Sequence, residues 1–115
     1  MSVKFSSDSQ FGHFVRFRMQ AVRKTDLRLG FYYCDCEWGQ NDPSTPWPYP
    51  LSRPTREQLL QYSDTIWLPD MKHLSETYKP DFYFPDFGGA CGFDSDTLRS
   101  KDFLAWLYTN SSIKV

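Results

Sequence analysis

The sequence predicts a small α+β domain, an antiparallel sheet of three to four strands with two to three short helices packed on one face. Three observations carry that expectation. Residues 13–23 alternate apolar and polar positions with a period of two, the pattern of a half-buried strand, and residues 27–38 read as a second strand after a break at Lys24-Thr25-Asp26. Residues 55–78 and 100–108 carry their apolar residues at helical spacing instead. At 115 residues and 40% hydrophobic, the chain has the size of one ordinary domain with one core, so residues 1–115 read as a single unit.

The first strand runs from His13 to Arg23. Val15, Phe17, Met19 and Ala21 point one way along it, and Arg16, Arg18 and Gln20 the other. Leu27 to Trp38 reads as a second strand after a turn at Thr25-Asp26. That turn sets Met19 opposite Tyr32, Phe17 opposite Cys34 and Val15 opposite Cys36 on an apolar side. It sets Arg16 against Asp35 on the charged side, so a single register separates core from surface.

Asn41 to Pro54 differs in kind. Five prolines within a dozen residues exclude both helix and central strand, and predict an extended, polyproline-like arm. Thr55-Arg56-Glu57-Gln58 has the capping-box form T-x-x-Q and opens a helix. Pro69 opens another, in which Trp67, Met71, Leu74 and Tyr78 form one apolar stripe, and Pro80 stops it. Asp81 to Phe87 alternates as a strand that Pro85 confines to a sheet edge, and Gly88-Gly89 marks a turn. Ser100, with Asp102 in the first turn, caps a final helix that packs Phe103, Leu104, Leu107 and Tyr108 inward.

A net charge of -1 argues against strong general attraction to nucleic acid or acidic membranes. The balance is uneven, with six Lys/Arg against two Asp in residues 1–30 and seven against twelve acids in the remainder. No stretch has the length and apolarity of a membrane span. Three cysteines are an odd count and too few for a secreted disulfide scaffold, so the expectation is a cytoplasmic protein with free thiols.

The chemistry-bearing motifs are sparse. Neither a G-x-x-x-x-G-K-[ST] phosphate loop nor a G-x-G-x-x-G fingerprint occurs. Cys34 and Cys36 share one strand face and, with Cys91 and His73, would make a Cys₃His zinc set. Structural zinc ligands arrive as two tight pairs, however, and here the second pair is scattered, so Cys34 and Cys36 read as small hydrophobes in the apolar face of the hairpin. The run around Cys91 resembles the nucleophile loop of chymotrypsin-like cysteine proteases, but 115 residues are far too few for that double barrel.

What remains distinctive is an aromatic fraction of 18%, more rings than one small core holds. From Tyr32 to Pro50 the chain is acidic and aromatic with no Lys or Arg, and Trp38, Asp42, Trp47 and Tyr49 form its candidate partner-binding set. The functional expectation is a non-enzymatic protein-binding domain that inhibits another macromolecule, in the manner of a bacterial immunity protein or a phage-encoded inhibitor of host defence. Its partner would be a protein with a basic surface, and no catalytic residue, metal, cofactor or membrane is invoked. Two alternatives stand beside it: a nucleic-acid-binding module using the basic N-terminal strand, and a zinc- or thiol-dependent protein using Cys34, Cys36 and Cys91.

Overall fold

A computed structural model describes residues 10–35, 54–86 and 92–113, with side chains from residue 16 onward. Among the described residues there are three helical bodies and one pair of strands. In chain order these are α1 (Gln10–Arg23), β1 (Gly30–Cys34), α2 (Arg56–Tyr62), a π-helical turn (Ser63–Trp67), α3 (Leu68–Tyr78), β2 (Phe82–Asp86) and α4 (Ser100–Thr109). The two strands are parallel, with Gly30 opposite Phe82, Tyr32 opposite Phe84 and Cys34 opposite Asp86. Asp35 extends the ladder by donating its N–H to the Asp86 carbonyl at 2.8 Å.

This overturns the antiparallel sheet. Parallel strands need a crossover of a dozen or more residues, and the continuous helical run from Arg56 to Tyr78 supplies it. The proposed first strand is the helix α1. Its Arg, Met, Gln and Ala residues are strong helix formers, and the alternation competed with that propensity and lost. Within α1, Met19 and Val22 are half-buried at a spacing of three, whereas Phe17 is 72% exposed. Phe17 and Cys34 therefore share no buried face, and Asp35 turns to Trp67 in place of Arg16. Arg23 at the end of α1 donates to the carbonyls of Tyr78 and Lys79, closing the C-terminus of α3.

The later elements lie close to where the pattern set them. Thr55 caps α2 through the full box, its Oγ1 accepting from Gln58 N–H while the Gln58 side chain accepts from Thr55 N–H. Trp67, Met71 and Tyr78 are buried, and Lys79 ends α3 in the left-handed conformation. At α4 the cap is different. Arg99 holds the N-cap position with φ 62°, and Ser100 Oγ donates to the Ser95 carbonyl. Phe103 and Leu107 are buried, but Leu104 and Tyr108 lie about 100° further round the helix and are exposed.

The core joins Leu59, Tyr62, Trp67, Met71, Phe93, Phe103 and Leu107, with Tyr33, Cys34 and Tyr83 of the strands packed against it. Phe103 is its hub, meeting Trp67 edge-on at 5.8 Å and Tyr83 at 5.5 Å between ring centroids. The aromatic surplus is resolved at the surface, where Phe17, Tyr32, Phe82, Phe84 and Tyr108 are exposed. No helix among the described residues is long and apolar enough to cross a membrane.

Candidate functional site

In parallel α/β sheets and barrels, chemistry gathers at the C-terminal ends of the strands, where side chains and following loops converge. Here β1 ends at Cys34 with Asp35 the next residue, and β2 ends at Asp86, so a carboxylate lies at the end of each strand on the same edge. The two acids have different surroundings. Asp35 is only 3% exposed and accepts the indole N–H of Trp67 at 2.6 Å. A charge held that way is a fixed support, since burying it without such a donor would be costly. Asp86 is half-buried on the open face of the sheet, and its Oδ2 accepts the hydroxyl of Tyr32 at 3.2 Å.

The open face is built by strand alternation. Tyr32 on β1 and Phe82, Phe84 and Asp86 on β2 project from it, while Tyr33 and Tyr83 pack against the helical side. Tyr32 and Phe84 meet edge-on, with centroids 5.7 Å apart and planes at 62°. Partial desolvation, and then the Asp86 carboxylate, hold the Tyr32 hydroxyl above the ordinary tyrosine value.

The π-helical turn has a structural role at this edge. Leu68 N–H donates back to the Ser63 carbonyl, one residue further than in an α-helix. The extra residue lets Tyr62, Ser63 and Trp67 all turn inward, which delivers the Trp67 indole to Asp35. On the helical side of the sheet, Tyr33 donates to Asp70 Oδ2 at 3.2 Å. Burial raises Asp70 above its ordinary value, partly offset by that hydrogen bond and by His73. A groove of about 750 Å³ between β2 and α4, lined by Tyr83, Pro85, Leu98, Phe103, Leu104 and Tyr108, contains neither strand-end carboxylate.

The sequence-derived partner set of Trp38, Asp42, Trp47 and Tyr49 lies outside the described residues, as do Cys36 and Cys91 of the thiol alternative. Cys34 is half-buried and packs against the core. Among the described residues no group of three His, Cys, Asp or Glu side chains could hold a metal ion. The basic strand required by the nucleic-acid alternative is the helix α1. Sequence reasoning missed Asp86 altogether. Its signal was present, an acid late in an apolar run ahead of Gly88-Gly89 in the sequence, but that signal acquires meaning only once the strand is known to be parallel.

The fold and the strand-end carboxylates define a βαβ unit of the α/β class, of the kind whose sites lie along the carboxyl edge of the sheet. The family follows from comparison: the model of the alpha-L-fucosidase family matches residues 13–115, and the chain belongs to that family. It is 31% identical over 94 residues to the tissue alpha-L-fucosidase of Rattus norvegicus, covering 82% of this chain and 19% of that protein. The corresponding figures are 31% over 99 residues, 83% and 19% for the alpha-L-fucosidase of Dictyostelium discoideum. For the Homo sapiens tissue enzyme they are 30% over 95 residues, 82% and 18%. The chain thus spans about a fifth of the length of these relatives. No solved structure matches it. Family membership replaces the inhibitor, immunity-protein and phage anti-defence expectation, and with it the expectation of a non-enzyme, by a glycosidase family.

Proposed function

We propose that this chain contributes part of the active site of an α-L-fucosidase, with Asp86 as one of the two carboxyl groups that glycoside hydrolysis requires. The supporting observation is the place of Asp86: an accessible acid at the carboxyl end of a parallel strand in a chain of this family. Hydrolysis adds water across the bond between fucosyl C1 and the leaving oxygen. The hydroxyl goes to C1, and a proton goes to the oxygen that departs.

The transition state carries oxocarbenium-like positive charge on the sugar ring, which a carboxylate beside C1 stabilises either as nucleophile or as the base that activates water. Asp86 has the exposure for that role. Asp35 does not, because its buried carboxylate is committed to the Trp67 indole. The second carboxyl group is therefore assigned to a residue other than Asp35.

The test is hydrolysis of an aryl α-L-fucoside by the protein at its natural full length. Asp86→Asn should lower kcat by at least about a hundredfold while the fold, followed by circular dichroism, is kept. Wild-type turnover in that variant would remove Asp86 from the chemistry.

A further inference from the structure

Tyr32 is the most conspicuous polar group on the open face that the fold does not explain. Its ring is 56% exposed, so it is not there to fill the core. It stands directly opposite Phe84, and Asp86 follows two residues later on the same face. Diagonal neighbours at that offset lie within reach of a long side chain, and the tyrosine hydroxyl spans the gap to Oδ2 of Asp86. The edge-on contact with Phe84 restrains the ring so that the hydroxyl keeps this direction.

We propose that Tyr32 is a positioning residue for Asp86: its hydroxyl, aimed by Phe84, donates to Oδ2 and fixes the rotation of the carboxylate at the strand end. This rests on the reading of Asp86 as a reacting carboxyl group. A carboxylate must be presented to the sugar at a defined angle, and a terminal torsion between sp³ and sp² atoms is otherwise broad. The main chain of Asp86 is anchored through its carbonyl to Asp35 N–H, and the Tyr32 hydroxyl acts on the side-chain torsion. The geometry requires the phenol proton. The groups acting on that proton are Asp86 on β2 together with Cys34 and Asp35 on β1, and all three disfavour its loss.

Two measurements test the assignment separately. In the full-length protein, Tyr32→Phe should keep KM within about twofold and lower kcat about tenfold or more, the scale of one hydrogen bond to a charged group. The alkaline fall in kcat that accompanies ionisation of Tyr32 should disappear in the same variant. With carbon-13 at the tyrosine ring's hydroxyl-bearing carbon, the resonance absent from Tyr32→Phe identifies Tyr32. Its titration should move to lower pH in Asp86→Asn, because a neighbouring negative charge has been removed. A Tyr32→Phe enzyme with wild-type kcat, or a Tyr32 titration indifferent to Asp86→Asn, overturns the proposal. Full activity in Asp86→Asn together with a shifted Tyr32 titration leaves the contact standing but overturns its catalytic purpose, and locates the failure in the reading of Asp86.

Discussion

The indole N–H of Trp67 donates to Oδ1 of Asp35 across 2.6 Å, joining a helix to the end of a strand 32 residues earlier in the chain. Both residues are almost completely buried, and the donor sits on the π-helical turn whose extra residue rotates it toward the sheet. One side chain from the crossover thus neutralises the cost of a buried carboxylate at the edge where Asp86 lies.

Removing only the donor separates that hydrogen bond from the packing of the ring. Trp67→Phe should lower unfolding free energy by about 1.5–3 kcal/mol, the range for a hydrogen bond to a charged group, with some added loss from the smaller ring. Urea denaturation followed by circular dichroism measures it. In an Asp35→Asn background the loss should shrink, and equal losses in both backgrounds would show that the indole acts through packing alone.

At Gly30 the absence of a Cβ leaves room for the Phe82 ring of β2. A Cβ built on Gly30 would lie 1.9–2.3 Å from three atoms of the Phe82 ring. Those atoms are the far end of a side chain that is more than half exposed, so the ring can swing aside more cheaply than the strand can move. Gly30→Ala should therefore cost only about 1 kcal/mol, at the low end for overpacking, and nothing in a Phe82→Ala background. Comparison of the two midpoints in chemical denaturation checks this. A large loss that persists without the Phe82 ring would mean that the backbone itself demands glycine.

Asp70 makes stability depend on pH in an unusual direction for a carboxylate. Its folded value is raised above 3.8, chiefly by burial, so the ionised form is disfavoured in the fold relative to the unfolded chain. The resulting penalty is present in full above the folded value and is relieved as pH falls through it toward 3.8. Asp70→Asn keeps an acceptor for the Tyr33 hydroxyl and removes the buried charge. The variant should melt at a higher temperature than wild type near neutrality, with the gap closing on acidification. Thermal melts across the acidic range measure this, and a gap that widens toward low pH would reverse the assignment.

The sequence by itself determined the local elements whose causes are local. The Thr55 box, the stripe through Trp67, Met71 and Tyr78, the stop before Pro80 and the strand read over Asp81 to Phe87, observed at Phe82–Asp86, depend on residues within a few positions of one another. At α1 two local signals conflicted, a period of two and strong helix propensity, and no neighbour in sequence could arbitrate.

Which strands pair, and in which direction, was decided only in the tertiary structure. A parallel pair joins residues some fifty positions apart through backbone groups that every residue carries alike, and the pattern of side chains does not record the partner. The candidate site inherits that limit. Tyr32 and Asp86 are 54 residues apart, and only the parallel register of β1 and β2 turns an isolated tyrosine and an isolated aspartate into a hydrogen-bonded pair on one face.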